Sequence, residues 1–260
     1  MKKPITLKGA RVMVSAGASG IGLAIARAFD TAGAQVHICD ISDTALSTLR
    51  DVAPNFGMFK ADVSDPDEVN SWFDHALHAM GGLDVLINNA GIAGPTAGIE
   101  KIAIDEWDRT MAVNVRSQFL CSRRAIGSLK ESNRATIINL SSVAGRIGYP
   151  LRCAYAASKW AVIGMTQSLA IELGEHDITV NAILPGIVES ERVNKVVSAK
   201  ALVKSIPEAQ MRAEILENVA LHRMVPMEHI ADTALFLASP AGRSVTGQSM
   251  NICAGVQALK

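Results

Sequence analysis

Tyr155 and Lys159 stand one helical turn apart in the run Tyr155-Ala156-Ala157-Ser158-Lys159, and Ser142 lies thirteen residues upstream. If the segment from Arg152 to Leu173 is helical, the phenol and the ammonium share a face. A free phenol has a pKa of about 10, so roughly a thousandth of it is phenolate at neutral pH. Lowering that value by two to three units takes about 3–4 kcal/mol of differential interaction, which a neighbouring cation can supply. Such a phenol can give and take a proton near neutrality. A hydroxyl at Ser141 or Ser142 can donate to an oxygen on which charge develops. Spacing alone does not distinguish such a pair from two neighbours on an ordinary helix surface, so the elements that position it decide.

Apolar residues alternate between short β-rich runs and longer helical ones, the rhythm of repeated βα units on a parallel sheet. Seven strands are predicted, near Arg11 to Ser15, Gln35 to Cys39, Gly57 to Ala61, Leu83 to Ile87, Ala135 to Leu140, Thr179 to Ile183 and Ser249 to Ile252. Helices fill the gaps. One runs from Gly20 to Ala32 and stops at Gly33, one is capped by Ser42, and one opens on Asp65-Pro66. A long one is predicted over Asp105 to Leu129, with Asp105 as N-cap. No linker or repeat divides the chain, which predicts a single domain over residues 1–260. The rhythm breaks between Glu189 and His222, a charged, helix-prone insertion. It is predicted to form a substrate flap at about 188–222, with a solvated hairpin serving an interface as the alternative.

The unusual residues fall just past the carboxyl ends of strands, where open α/β sheets bind ligands. After the first strand comes Ser15-Ala16-Gly17-Ala18-Ser19-Gly20-Ile21-Gly22, a turn that can bring backbone amides and a helix start against a phosphate. Asp40 ends the second strand and can accept hydrogen bonds from a ribose, or simply cap a turn. It also repels a 2′-phosphate, and Ile41, Ser42 and Asp43 bring no cation to neutralise one. Asp62 and Val63 follow the third strand and can hold an adenine. Asn88, Asn89, Ala90 and Gly91 follow the fourth and can support either a dinucleotide or the sheet. Asn114, inside a helix between Val113 and Val115, is either a satisfied buried amide or part of a polar relay. Pro185-Gly186 ends the sixth strand.

With 25 basic and 25 acidic residues the charge is balanced, and nothing advertises nucleic acid or an anionic membrane as a partner. The N-terminus has no long apolar run, so neither a signal peptide nor a membrane span is predicted, and the expected location is cytoplasmic. Four scattered cysteines argue against disulfides. Cys39, Cys121 and Cys253 lie in apolar contexts that suit buried thiols. His75 and His78 share a helix face without a third ligand, so no metal site is expected.

These residues together resemble the short-chain dehydrogenase/reductase family, in its compact single-domain branch. SAGASGIG at Ser15 to Gly22, Asp40, Asp62-Val63, NNAG at Asn88 to Gly91, Asn114, Ser142, YAASK at Tyr155 to Lys159 and Pro185-Gly186 with Ser190 carry the resemblance. It implies an α/β fold of Rossmann type, a doubly wound parallel sheet flanked by helices, and a catalytic tetrad of Asn114, Ser142, Tyr155 and Lys159. It also implies Ser142 rather than Ser141. In the implied mechanism Tyr155 exchanges the proton and Ser142 orients the substrate oxygen. Lys159 holds the ribose and tunes Tyr155, while Asn114 anchors a water leading to solvent. The implied cofactor contacts come from Ser15, Gly17, Ser19, Gly20, Ile21, Gly22, Asp40, Ile41, Asp62, Val63, Asn89, Ala90, Gly91, Tyr155, Lys159, Pro185, Gly186, Ile187 and Ser190.

Three departures stand out. Ala16 replaces the first glycine of the nucleotide turn, and is expected to be tolerated with a small shift if its backbone angle is negative. Cys253-Ala254 replaces an Asp-Gly pair, and Ser190 replaces a threonine. The resulting expectation is an NAD(H)-dependent oxidoreductase acting on a secondary alcohol or ketone, with Asp40 disfavouring NADP. A 3-oxoacyl-carrier-protein reductase and a non-catalytic dinucleotide sensor are the alternatives. A substrate pocket is expected around Tyr149, Arg152, Cys153 and Arg192; with Arg146 and Glu189 nearby it suits a polar or anionic small molecule, although Arg146 and Arg152 can equally face solvent. The family's habit implies a homotetramer built through the two long helices and the last strand.

Overall fold

The computed structural model describes residues 5–259, and of Arg192 the backbone only. All seven strands are parallel and form one sheet: β1 (Arg11–Ser15), β2 (Gln35–Asp40), β3 (Gly57–Lys60), β4 (Val85–Asn88), β5 (Thr136–Leu140), β6 (Thr179–Pro185) and β7 (Ser249–Ile252), in the order β3-β2-β1-β4-β5-β6-β7. The strands β4, β5 and β6 are buried along their whole length, which is why apolar residues fall on both of their faces and do not alternate with polar ones. The order reverses between β1 and β4, opening a crevice at their carboxyl ends.

Helices cover both faces. On one, α1 (Gly20–Thr31) and α9 (Met227–Ala238) pack around Val12, Val14, Phe29, Ile38 and Ile87. On the other, α3 (Pro66–Met80), α5 (Ser117–Lys130) and α6 (Cys153–Leu173) enclose Trp72, Phe73, Leu86, Leu129 and Ile137. Local chemistry sets their ends. Ser42 Oγ accepts from Ala45 N at 3.2 Å at the start of α2 (Asp43–Val52), and Asp65 accepts from Asp67 N and Glu68 N ahead of Pro66. Gly33, with φ +89°, follows α1 as expected.

Several boundaries differ from expectation by one or two residues, and two are instructive. β4 starts at Val85, two residues later than expected; Asp84 just before it still donates from its N to Arg11 O at 2.9 Å and accepts from Thr136 N at 3.0 Å, while its carboxylate accepts from Arg11 Nη2 at 2.7 Å and Nε at 3.0 Å. The helix expected from Asp105 begins one residue earlier as α4 (Ile104–Met111), with Ala103 at the N-cap; its amide donates to Glu106 at 3.2 Å. The long helix is also not uniform. Between α4 and α5, Ala112–Arg116 forms a π turn in which Ser117 N donates to Ala112 O, five residues back. The Ser117 hydroxyl donates to Val113 O at 2.6 Å and so serves a carbonyl that the wider turn takes out of the helical ladder.

An unforeseen polar chain ties β2 to α3. Trp72 Nε1 donates to His37 Nδ1 at 3.1 Å, so His37 Nε2 carries the proton and donates to His75 Nδ1 at 2.9 Å. His37 is 1% exposed, and burial first, then the neighbouring His75, lowers its pKa to about 4. The insertion forms two helices, α7 (Glu191–Lys204) and α8 (Glu208–Glu217), which share a small core of Val197, Ala201 and Met211. Bridges Val188↔Val225 and Val219↔Val256 clamp its two ends to the body.

Candidate active site

A cavity of about 940 Å³ runs along the carboxyl edge of the sheet, from the glycine turn after β1 to the inner side of α7. At its centre Tyr155 is 7% exposed and Lys159 2%. The Lys159 ammonium donates to Leu140 O at 2.8 Å and lies 5.7 Å from the centroid of the Tyr155 ring. The lysine thereby fastens α6 to the end of β5, the strand that delivers Ser142. The two adjacent serines separate by hydrogen bonding. Ser141 Oγ donates to Lys159 O at 2.8 Å and is committed to the helix backbone. Ser142 Oγ accepts from Ala144 N at 3.2 Å, which leaves its own proton to turn into the cavity.

Asn114 sits in the π turn, fully buried. Its Oδ1 accepts from Ile92 N at 2.7 Å, and its Nδ2 donates to Ile92 O at 3.1 Å and to Ser158 Oγ at 3.0 Å. Ser158 in turn donates to Tyr155 O at 2.7 Å. One amide thus locks the loop following β4 to the first turn of α6. Gly91 is what lets them close in: a methyl there would stand 3.3 Å from Asn114 Oδ1 and 3.4 Å from Lys159 Nζ.

The other end is a backbone cradle. A Cβ at Gly17 would lie 2.6 Å from Ile38, and one at Gly22 would lie 2.1 Å from Ala16 O, so neither position accepts a side chain. The helix α1 starts at Gly20 with no side-chain cap from Ser19 and no acid in its first turn, so its amides are left for an anion. Ala16 has φ +50°, which overturns the expectation of a negative angle. Its methyl is accommodated in the left-handed region because Asn89 Nδ2 pins both Ser15 O and Ala16 O at 3.0 Å. Ser15 Oγ accepts from Asn89 N at 2.9 Å and Ala90 N at 3.0 Å. Ser15 and Asn89 therefore knit the first turn to the fourth.

Asp40 accepts from Ala18 N and Ser42 N, both at 3.1 Å, and so shapes the rim of the cradle. Asp62 is bound by Ser64 and by Arg109 at 3.0 Å; burial works against its charge, but these partners hold its carboxyl below the usual range. Val63 and Ala90 are buried, and Ile41 is exposed. Asn88 donates to Ser122 and Asn139 inside the sheet. Pro185, Gly186, Ile187 and Ser190 line the cavity wall, and Ser190 also caps α7 by accepting from Val193 N at 3.2 Å. A dinucleotide fits this edge: the start of α1, with no side-chain cap, lines the cavity at Ser19 to Ile21 where a pyrophosphate would approach, and the Asp40 carboxylate lies at the rim beside it.

Of the four residues expected around the substrate, Tyr149 and Arg152 line the cavity, and the Arg192 side chain lies outside the described residues. Cys153 is exposed and lines an outer groove that adjoins the cavity through Tyr149, Ala258 and Leu259, so the expected place in the cavity wall is not taken by this thiol. Arg146 is exposed, whereas Arg152 is 2% exposed. Lys200 went unnoticed in the sequence. It is fully buried on α7, its ammonium 4.1 Å from the centroid of the Tyr149 ring. The signal was present: Val193, Val197 and Lys200 fall on one helical stripe with Ala201, so a lysine occupies an apolar face.

A family model described as enoyl-(acyl carrier protein) reductase matches residues 15–257. The chain is 34% identical to 2-(S)-hydroxypropyl-CoM dehydrogenase 3 of Xanthobacter autotrophicus, over 97% of this chain and 98% of that one. It is 32% identical to D-beta-hydroxybutyrate dehydrogenase of Rhizobium meliloti, over 94% and 96%. Among solved structures, an actinorhodin polyketide ketoreductase with NADPH superposes with a TM-score of 0.91 at 28% identity, covering 97% of this chain and 99% of the other. With matches over nearly its whole length and a sheet of the same build, the chain belongs to the short-chain dehydrogenase/reductase family of oxidoreductases.

Proposed function

We propose that the protein interconverts a secondary alcohol and a ketone with NAD(H), using Tyr155 as the acid and base. The observation that carries this reading is the Lys159 ammonium, held by Leu140 O beside the Tyr155 ring in a cavity that also receives Ser142. The nicotinamide dinucleotide, when bound, supplies or accepts the hydride. A buried cation at the ring stabilises negative charge on the phenol oxygen, which lets Tyr155 hold or release the proton of the substrate oxygen. Ser142 donates to that oxygen and fixes its position. Asn114 acts as a positioning residue, through Ile92 and Ser158, and the π turn around it is where a relay to solvent would pass. The names of two relatives, hydroxypropyl-CoM and beta-hydroxybutyrate dehydrogenases, describe hydroxyl-bearing substrates, which supports an alcohol as reductant.

NAD is proposed over NADP because Asp40 places a carboxylate at the ribose end with Ile41 and Ser42 beside it. The neighbouring cation, Lys60, is taken up by Asp43 at 2.5 Å. The proposed setting is the cytoplasm, with residues 1–260 as one domain and α7–α8 as its substrate flap; no helix among the described residues is long and apolar enough to cross a membrane. A homotetramer is proposed from the exposed Phe119 on α5 and Trp160 on α6, to be tested by light scattering. The decisive experiment on the chemistry is Tyr155→Phe. Turnover should vanish while NADH fluorescence still titrates to saturation, and retained turnover would defeat the assignment.

A further inference from the structure

Outside the cavity, a groove of about 670 Å³ opens where the loop before α6 meets residues 257–259. The two hollows are continuous, because Tyr149, Ala258 and Leu259 line both. Ile147 and Pro150 of the loop and Ala156 and Ala157 of α6 make most of the remaining wall apolar, and no charged residue is among the described residues that line it. Ala156 and Ala157 follow Tyr155 directly, so the groove lies beside the helix turn that carries the reacting phenol. The Arg152 guanidinium lies 5.1 Å from the Tyr155 ring centroid and 5.3 Å from that of Tyr149, which puts the threshold residue one guanidinium away from the phenol ring.

The chain is shaped to bring the tail to this threshold. After β7 it reverses through Ala254 and Gly255, at φ +54° and +80°, and is then tied to the segment that follows α8. Ala220 N donates to Gly255 O at 2.9 Å, Leu221 N to Ala254 O at 3.0 Å, and Gln257 N to Asn218 O at 2.9 Å. A Cβ at Gly255 would stand 2.6 Å from the Ala220 methyl, so a glycine is what lets the tail lie so close. From the flap side the Lys200 ammonium, 4.1 Å from the Tyr149 ring centroid, holds the ring that shares the threshold.

We propose that cavity and groove are two compartments of one substrate site: the carbinol or carbonyl carbon meets Tyr155, and an unbranched apolar arm passes Tyr149, Ala258 and Leu259 into the groove. This rests on the oxidoreductase reading given above. The ligand so described is a medium-chain secondary alcohol or its ketone, more apolar than the molecule that the sequence suggests. A polar arm would give up hydration to a wall that offers few hydrogen bonds, whereas each methylene gains by leaving water.

The test follows NADH absorbance during reduction of 2-butanone, 2-hexanone, 2-octanone and 2-decanone. In the wild type kcat/KM should rise by about two- to fourfold for each added methylene while the groove fills. Cys153→Trp, which fills the groove from α6, should flatten that rise, mainly through KM of the longer ketones, and Gln257→Trp should do the same from the tail. A reading independent of turnover is the alkylation of Cys153 by iodoacetamide with NAD bound, a cofactor state with which a ketone does not react: 2-decanone should slow it and 2-butanone should not. A flat or falling series in the wild type, or an unchanged slope in both variants, would overturn the groove compartment while leaving the oxidoreductase reading standing. If no ketone is reduced but 2-decanone protects Cys153, the compartment holds and the oxidoreductase reading falls. Absence of protection would overturn the compartment, as would a Cys153 that resists iodoacetamide in the native protein, since a second copy or the tail itself would then cover the groove.

Discussion

Replacing Ala16 with glycine should make the protein more stable, although it removes a methyl group from the wall of the site. Ala16 is held at φ +50° at the tip of the nucleotide turn, where an L-residue with a Cβ costs about 1–2 kcal/mol relative to the right-handed region. Glycine escapes that cost but loses more backbone freedom on folding, which takes back about 0.5–1 kcal/mol. The net gain is about 0.5–1 kcal/mol, or about 1–4 °C in Tm for a chain of this size. The Asn89 hydrogen bonds to Ser15 O and Ala16 O use backbone oxygens and survive the change. Ala18→Gly is the internal control: it lies in the same turn without a positive φ, so it should lose about 0.5–1 kcal/mol. Differential scanning calorimetry of the two variants and the wild type decides. If Ala16→Gly melts below the wild type, or the two variants shift together, the left-handed strain assigned to Ala16 is wrong.

The same reasoning applies to Ala254, with φ +54°, where Ala254→Gly should raise Tm by a similar margin in the same scan. Acid should weaken the fold through His37: the unfolded chain takes up a proton near pH 6.5 but the folded one only near 4. Stability is therefore complete above about pH 6.5 and falls as the pH drops, by about 2 kcal/mol between pH 7.5 and pH 5, measurable by urea titration. A midpoint that does not move over that range would contradict it. Iodoacetamide at neutral pH should label exposed Cys153 within minutes, whereas Cys39 and Cys121, the latter pushed up to about 12 by burial, should react only after denaturation; peptide mass spectrometry reports the order. Initial rates should favour NADH over NADPH by at least about tenfold, since Asp40 repels a 2′-phosphate, and equal rates would refute that role.

Much of the framework was readable from local pattern because the sheet is buried on both faces, and runs such as Thr136 to Leu140 leave little alternative to a central strand. Gly17 and Gly22 were readable for a similar reason, since the Ile38 side chain at one and the Ala16 carbonyl at the other leave no room for a Cβ. What escaped depends on partners far away in sequence. The partner of the Asp84 carboxylate, the Arg11 guanidinium on β1, lies 73 residues away and leaves no local signal. The π turn at Asn114 has no periodic signature, as one residue of extra register is absorbed by a single Ser117 hydroxyl. His37 resembles any polar residue in a strand until Trp72 and His75 arrive from α3. Lys200 hides because charge in an insertion reads as surface, and its partner, the Tyr149 ring, lies 51 residues away in sequence. The Ser141–Ser142 choice, left open by residue type, becomes a question of where one proton is spent.

The private core of α7 and α8 has a consequence for how this protein can change. Val197, Ala201 and Met211 pack on one another, and the pair is further stitched by Arg212 donating to Asn194 Oδ1 at 2.7 Å, while the sheet keeps its own two clusters. Apart from Lys200, whose ammonium reaches the Tyr149 ring, and the α7 residues that line the cavity, substitutions between Glu191 and Glu217 act first on this small core and not on the strands of the sheet. Heritable variation can be spent in this segment on what is bound without disturbing how it is transformed. For the same reason residues 191–217 mark a natural unit for grafting, with the bridges at Val188 and Val219 as its seams.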